Sequence, residues 1–314
     1  MMKNTGLLLG LLWALGSTWD CSAEDQLQPL VLHRVTDNVF SAIGVTGPPS
    51  YANAGHNNNL SVIVSQAGVV VINGGDNYLL AKRLHLAIRA LTEQPVVWVV
   101  NENGQGHAFL GNSYWRDQKV NVIAHADAVR KIKEQGSQIL QRMVLRNKDK
   151  ARQTYVAVPD HQFTDTFLIS LEGLDIELRS FGEAHSPGDI SVWLPGDRVL
   201  ITGDIAFHQR MLAIFPDTNV SAWMSSFRKM RLLQPVYIIP GHGAPTDMAS
   251  IHATTFGYLE FLTQQIQQLL DDDADLSQAY AIDQTRYRHL DAFEELAAKN
   301  AGRLFQTMEM EMFQ

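Results

Sequence analysis

The sequence predicts an α/β protein in which two β-sheets pack face to face with helices outside, a four-layer αββα sandwich, followed by a C-terminal helical extension. The main observation is an internal repeat: residues 60–76 resemble residues 190–204, and each pattern predicts a strand, a turn and a second strand. A helical stretch and a Pro-led apolar strand follow each copy, at 95–103 and 235–242. Strands that alternate with helices in two similar halves favour two packed sheets covered by helices.

The elements of the first half follow in order along the chain. Residues 30–45 and 60–73 are β-branched runs with glycine turns, which predicts paired strands. A helix is predicted over roughly 77–92. The apolar run PVVWVV at 95–100 is typical of a strand that is covered on both faces.

Beyond about Ser250 the pattern becomes helical. Apolar residues recur at helical spacing over 256–270 and 290–313. Because no linker rich in Gly, Pro or Ser intervenes, we predict a main domain over residues 24–249 and a helical extension over residues 250–314 packed on it. The sequence leaves open whether this extension covers a cleft or pairs subunits, and it leaves the oligomeric state open.

The first 23 residues have the pattern of a secretory signal peptide. Lys3 supplies a basic start, an apolar stretch runs from Leu7 to Trp19, and the small residue Ala23 precedes an acidic one. The apolar stretch is shorter than the roughly 20 residues of a membrane span. We therefore expect cleavage after Ala23, no membrane span, and a periplasmic or secreted protein. A lipid anchor at Cys21 is the less favoured alternative, because an acidic residue precedes it.

The composition and net charge indicate which kinds of molecule this protein is expected to bind. The chain has 314 residues, 46% hydrophobic and 18% charged, with a formal net charge of −8, which is typical of a globular domain. An acidic protein is a poor partner for nucleic acid, so a small-molecule substrate or ligand is expected. The single cysteine of the chain is Cys21, so the mature protein is predicted to have no disulfide and no cysteine ligand.

Three residues that could carry chemistry follow strand-like runs in the second half. They are His185 in HSPGD, Asp204 in TGD and His242 in PGHG. If their strands are adjacent, these side chains meet at one edge of a sheet. Two imidazoles and one carboxylate are suitable zinc ligands, and a catalytic zinc typically takes three protein ligands. The alternative is that the three residues only hydrogen-bond one another and hold the edge in shape.

With these motifs the chain resembles the metallo-β-lactamase superfamily of metal-dependent hydrolases over about residues 31–246. In that superfamily the strand equivalent to PVVWVV is followed by the pattern N-T-H-x-H-x-D-H-x-x-G-N, which supplies most of the metal ligands. The matching stretch here is NENGQGHAFLGN, which keeps the frame at Asn101, Gly111 and Asn112. Exported members of the superfamily with a helical tail are the nearest likeness.

The ligand positions of that pattern have all changed in this chain. The resemblance places Asn103, Gln105 and Ala108 at the three histidine positions and His107 at the aspartate position. It also places Asn73 where an aspartate usually ends the second strand. The remaining family ligands match His185, Asp204 and His242.

The resemblance therefore implies an incomplete site. It implies an exported hydrolase with one zinc ion, held by some set of His107, His185, Asp204 and His242. Asp204 would be the catalytic residue that orients the attacking water, and the substrate bond would be an ester, a thioester or an amide-like bond. The alternative is a non-catalytic protein that binds a ligand through the old active-site cleft; a true β-lactamase is a weaker third possibility.

The remaining site residues carry two interpretations each. His107 is either a replacement ligand or a histidine at the start of a helix. Amides at Asn103 and Gln105 are predicted to form a hydrogen-bonded floor, because buried amides need partners; a substrate-binding role is the less favoured alternative. His56, in the loop AGHNNNL, is either a substrate contact or a solvated loop histidine, since relatives carry a mobile loop there.

Overall fold

The structure is a computed structural model, and it describes residues 30–312. The predicted signal peptide over residues 1–23, with its cysteine, lies outside the described residues. Within residues 30–312, none of the helices has the length and apolar character that a membrane crossing requires.

The first sheet has seven strands in sequential order. Its first four strands pair antiparallel, and the last three are added parallel to the fourth. The strands are β1 (His33–Arg34), β2 (Val39–Ala42), β3 (Leu60–Ser65), β4 (Gly68–Ile72), β5 (Val96–Asn101), β6 (Asn121–His125) and β7 (His161–Phe163).

The second sheet has five strands in the order β12-β11-β10-β9-β8. They are β8 (Thr166–Leu171), β9 (Leu174–Arg179), β10 (Ser191–Leu194), β11 (Val199–Phe207) and β12 (Tyr237–His242). The hairpin of β3 and β4 is followed by the parallel strand β5, and the hairpin of β10 and β11 is followed by the parallel strand β12. The two halves that the internal repeat predicts therefore each contribute this unit to one sheet.

Nine α-helices lie within the described residues. They are α1 (Tyr78–Leu91), α2 (Gly106–Phe109), α3 (Asn112–Asp117), α4 (Ala126–Asn147), α5 (Val220–Arg231), α6 (Met248–Ile251), α7 (Gly257–Asp271), α8 (Leu276–Tyr280) and α9 (Phe293–Met312). A π-helical turn at His252–Phe256 joins α6 to α7, and 3-10 turns lie at Lys148–Ala151 and Thr285–Tyr287. The helix predicted over 77–92 is α1, and it begins after Asn77, whose side chain accepts a hydrogen bond from the Leu80 N–H.

Alternation of side chains along the strands produces the layers. In β4 the side chains of Val70 and Ile72 pack between the sheets against Val192 and Ile201 of the second sheet. The intervening residue Val71 faces outward into a cluster with α1 and α3. Because both faces of β4 are covered, every residue of this strand is buried, which explains the continuous apolar run in the sequence.

The C-terminal helices pack on the outer face of the second sheet. Phe305 of α9 shares a buried cluster with Trp223 of α5. The Asn300 side chain accepts a hydrogen bond from the Ile214 N–H and donates one to the Leu212 carbonyl, each at 2.8 Å. The helical extension therefore binds the segment that follows β11 through hydrogen bonds to Leu212 and Ile214. Within the described part of the chain, no residue beyond His242 lines the main cleft.

Candidate metal centre

The ends of three elements bring two histidines and one carboxylate together. His107 lies in α2, directly after β5, Asp204 lies in β11, and His242 ends β12. His107 Nε2 is 3.5 Å from Asp204 Oδ2, and His242 Nε2 is 3.3 Å from Asp204 Oδ1. One ligand atom from each of the three residues lies within 4.8 Å of the others. Their side chains are 10% exposed or less, so solvent screens this group weakly.

His242 is held in the orientation of a ligand. Its Nδ1 is 2.6 Å from the Asn57 carbonyl oxygen, to which it donates, and its ring stacks on Phe207 with centroids 4.9 Å apart. Burial lowers the pKa of His242, although the neighbouring Asp204 raises it, and the lowered pKa favours the neutral ring. A proton on Nδ1 leaves a lone pair on Nε2, and this lone pair faces Asp204. A backbone carbonyl that fixes the tautomer in this way is common for metal-bound histidines.

One carboxylate oxygen of Asp204 lacks a hydrogen-bond partner in the part of the chain that the structure describes. Its Oδ1 is buried and has no hydrogen-bond partner among residues 30–312, although His242 Nε2 lies 3.3 Å away. Burial alone would raise the pKa of Asp204, but the neighbouring His107 outweighs burial and holds the pKa well below its usual range. Two acceptor atoms that face each other without a shared proton fit a cation between them. The donor chemistry at this position is therefore suited to a divalent metal ion.

His107 is also in contact with a second carboxylate. Its Nε2 is 3.2 Å from Oε1 of Glu102, which is only 2% exposed. Burial lowers the pKa of His107, but Asp204 and Glu102 together outweigh it and raise the pKa to about 9. Burial raises the pKa of Glu102 to about 7. The sequence motifs did not indicate Glu102; the signal that could have indicated it is a charged residue at the end of a buried strand, directly before the changed ligand positions.

His185 lies beside this group rather than within it. Its Nε2 is 3.8 Å from Asp204 Oδ2, and it is not among the three residues whose ligand atoms lie mutually close. Its ring packs against Phe207, Phe215 and Trp223, and burial lowers its pKa to about 4. The structure thus gathers three of the four predicted ligands around one point and places the fourth at the side of Asp204.

The three changed ligand positions behave differently from one another. Asn103 donates from Nδ2 to Asp204 Oδ2 at 3.1 Å, and its Oδ1 accepts from the Gln105 N–H at 2.9 Å, as expected of a floor residue. Gln105 does not complete that floor, because its Nε2 is buried without a partner in the described chain. Ala108 contributes only its backbone, whose carbonyl accepts from Asn101 Nδ2 at 2.7 Å.

His56 does not line the main cleft, so the structure gives no support to the substrate contact that the sequence suggested for it. It lines a separate cavity together with Val45 and Leu80, and burial lowers its pKa to about 4. The next residue, Asn57, takes the expected place instead. It lines the main cleft and holds His242 through its carbonyl. Adjacent positions of one loop point in different directions, so the motif alone did not identify the residue that faces the site.

The metal-ligand candidates open onto a cleft of about 510 Å³. His107, His185 and His242 lie in its lining. This volume is within the range of small-molecule sites, roughly 300–1,000 Å³. The molecule is thus an αββα sandwich with a candidate metal site whose histidines line a cleft.

The family of the chain follows from its sequence. Residues 53–242 match the metallo-beta-lactamase superfamily, which is more than half of the 314 residues. The chain belongs to the metallo-beta-lactamase superfamily, as the resemblance in the ligand motifs predicted.

Individual relatives agree with this membership. The chain is 27% identical over 186 residues to the metallo-beta-lactamase type 2 of Bacteroides fragilis, an alignment covering 58% of this chain and 70% of that protein. It is 21% identical over 223 residues to the linear primary-alkylsulfatase of Pseudomonas sp. (strain ATCC 19151), covering 59% of this chain and 41% of that enzyme. The chain thus spans less than half of the alkylsulfatase.

A solved structure shows the same fold. The metallo-beta-lactamase from Pontibacter korlensis superposes with a TM-score of 0.61 at 16% identity, covering 74% of this chain and 99% of that one. At this identity the likeness concerns the fold alone. The predicted αββα sandwich is confirmed.

Proposed function

We propose that this protein is a metal-dependent hydrolase that holds one divalent ion, zinc, through His107, Asp204 and His242. The observation that carries this proposal is the contact between His242 Nε2 and Asp204 Oδ1, 3.3 Å apart: His242 Nδ1 donates to the Asn57 carbonyl, and Asp204 Oδ1 is buried without a hydrogen-bond partner among residues 30–312. Two imidazoles and one carboxylate form a known donor set for catalytic zinc. Membership of a superfamily that commonly binds metal supports the assignment.

A zinc ion at such a site supplies Lewis-acid chemistry, which makes water nucleophilic near neutral pH and polarises a carbonyl group. The residues of this chain prepare the site for that chemistry. Asn57 and Phe207 fix the ring of His242, and Asn103 holds one oxygen of Asp204. Asp204 orients the attacking water, and the bond cleaved is an ester, thioester or amide-like bond.

Export is part of the same proposal. The basic start, the short apolar stretch and the small residue Ala23 support removal of residues 1–23 and a periplasmic or secreted location. This part rests on the N-terminal pattern alone and does not affect the assignment of the metal ligands.

Metal content tests the proposal directly. After mild dialysis the wild-type protein should retain close to one zinc ion per chain by elemental analysis. His242→Ala and His107→Ala should each retain almost none, since two ligands rarely hold zinc against dialysis. The matched control is His161→Ala, which removes an exposed histidine of β7 and should leave the zinc content unchanged. A wild-type protein that takes up no metal even from added excess would refute the proposal.

A steric substitution gives a second test that keeps every ligand residue and changes only the position of one of them. A β-carbon at Gly241 would lie 2.5 Å from Asp204 Oδ1, so Gly241→Ala must displace that carboxylate. We expect zinc affinity to fall about 10–100-fold, the range typical of disturbed supporting residues. Competition with a chromophoric chelator measures this change. Gly196→Ala, where a β-carbon meets nothing within 4 Å, should bind zinc like the wild type; equal affinities in two folded variants would argue against Asp204 as a ligand.

A non-catalytic binding function is the second candidate, and one feature favours it. Asn103 and Glu102 already give hydrogen-bond partners to Asp204 and His107 without any ion. A protein of this kind would bind ligands in the cleft but would hydrolyse no member of an ester and thioester panel, with or without added zinc. Zinc-dependent turnover that is lost in His242→Ala would exclude it.

A further inference from the structure

One face of the long helix α4 forms a wall of the cleft. The helix contributes residues spaced three or four positions apart, which places them on one side of the helix. They include Lys131, Gln135, Ile139, Arg142 and Arg146. This wall is separate from the strand ends that carry the candidate metal ligands.

The cleft has an excess of positive charge, in contrast to the net charge of −8 of the whole chain. Its lining contains four basic residues and two aspartates, so two positive charges are in excess. The basic residues are Lys131, Arg142, Arg146 and Arg210, and the aspartates are Asp76 and Asp217. A cleft of one sign with low-dielectric walls attracts ligands of the opposite sign.

Three of the four cations are already engaged within the protein. Arg146 forms an ion pair with the buried Asp76, and Lys131 Nζ lies 2.9 Å from Asp217 Oδ2. The Arg210 guanidinium donates to the carbonyl of Thr46 at 2.6 Å and to a neighbouring carbonyl. These contacts hold the three side chains in place, and the ion pairs balance the charges of Lys131 and Arg146 with Asp217 and Asp76.

Arg142 differs from these three cations. Among residues 30–312, no carboxylate or carbonyl forms an ion pair or hydrogen bond with it, and its side chain is exposed while lining the cleft. A second unused donor lies in the same lining, because Gln105 Nε2 is buried without a partner in the described chain. Both groups can only donate, so a complementary ligand must offer acceptor oxygens.

The rest of the lining is largely apolar. Side chains that can contact a hydrocarbon body include Leu110, Ile139, Met143, Phe207, Phe215 and Pro216. Arg142 and Ile139 are three residues apart on α4, and such residues are neighbours on a helix surface. The free cation therefore lies beside apolar surface.

We propose that this cleft binds amphipathic carboxylates, small molecules in which an apolar alkyl or aryl body carries a carboxylate. The carboxylate pairs with Arg142, Gln105 Nε2 donates to an acceptor oxygen, and the apolar body lies against Ile139, Met143 and Phe215. The inference rests on the proposed function in one respect: the substrate of the hydrolase would then be an ester, thioester or amide that carries such an acid group. Binding itself requires no metal ion.

Calorimetric titration of the full-length protein, freed of metal with a chelator, tests this proposal with octanoate and its neutral analogue octanamide. Removing metal ensures that a carboxylate–metal contact cannot contribute. The wild-type protein should bind octanoate at least about tenfold more tightly than octanamide, as expected for one charge-assisted hydrogen-bonded pair. Arg142→Gln should bind both probes equally, and Arg142→Lys should keep part of the preference.

The matched control is Arg130→Gln, which removes a neighbouring exposed arginine of α4 whose guanidinium pairs with Asp127 and which does not line the cleft. This variant should keep the full preference for octanoate. Three results would overturn the proposal: no saturable binding of octanoate in the millimolar range, equal binding of the two probes by the wild type, or an Arg142→Gln variant indistinguishable from Arg130→Gln. None of these results depends on metal content, so failure here is distinguishable from failure of the proposed hydrolase.

Discussion

Replacing Asp204 with asparagine should abolish stoichiometric zinc binding and leave the protein folded. Asp204 is the only carboxylate in the three-residue donor group, and a neutral amide oxygen is a poor zinc ligand. We expect zinc affinity to fall by more than about 100-fold, beyond the 10–100-fold effect of supporting residues. Asparagine has nearly the same shape, and its side-chain oxygen can still accept the hydrogen bond from Asn103 Nδ2.

Two measurements test the Asp204→Asn prediction. Competition titration gives the zinc affinity, and thermal unfolding with and without added zinc shows whether the ion stabilises the folded state, as any ligand specific to that state must. Both proteins are first freed of metal with a chelator; metal-free wild type should then gain thermal stability on zinc addition, and metal-free Asp204→Asn should gain none. Asp217→Asn is the control, because it removes a cleft aspartate paired with Lys131. An Asp204→Asn variant that keeps one tightly bound zinc ion would exclude Asp204 as a ligand.

The second large effect is a loss of stability when Trp223, which packs behind the candidate metal site, is replaced. Trp223 of α5 is fully buried, and its Nε1 donates to the Ile205 carbonyl at 2.9 Å. Its ring packs against Phe207 and His185. Trp223→Ala should lower the free energy of unfolding by about 3–5 kcal/mol, because it opens a cavity and leaves a buried carbonyl unpaired. Urea unfolding followed by circular dichroism measures the loss.

The control for Trp223→Ala is an exposed apolar residue just after the same helix. Leu232 is 80% exposed, so Leu232→Ala should change the free energy of unfolding by no more than about 0.5 kcal/mol. Similar losses in the two variants would show that the outer face of the second sheet contributes little to stability. A large loss confined to Trp223→Ala would support the packing of α5 behind Asp204.

The changed ligand pattern has a consistent physical interpretation. The residues that still match the family's ligand pattern, His185, Asp204 and His242, all come from the second half of the chain. The first half supplies the altered positions, and the structure shows what occupies them. Asn103 binds Asp204 by a hydrogen bond, and Glu102 contacts His107. The first half therefore still contacts the site, through a different set of polar groups.

The sequence predicted some of these contacts and missed others for identifiable reasons. The floor role of Asn103 follows from the need of a buried amide for partners. Glu102 was missed because the family position it occupies is not a ligand position. His56 and Asn57 are adjacent in one loop, and only the path of the backbone decides which of them lines the cleft.

The sequence by itself determined the two-halved αββα sandwich, because strand and helix periodicities and an internal repeat are local patterns that are visible along the chain. It also determined which chemical groups, imidazoles and a carboxylate, were available at strand ends. Only the tertiary structure decided that His107 joins Asp204 and His242 within 4.8 Å, that His185 stays to one side, and that Arg142 has no ion-pair or hydrogen-bond partner among residues 30–312. These facts depend on distances between segments far apart in sequence, and the packing of whole sheets and helices sets such distances.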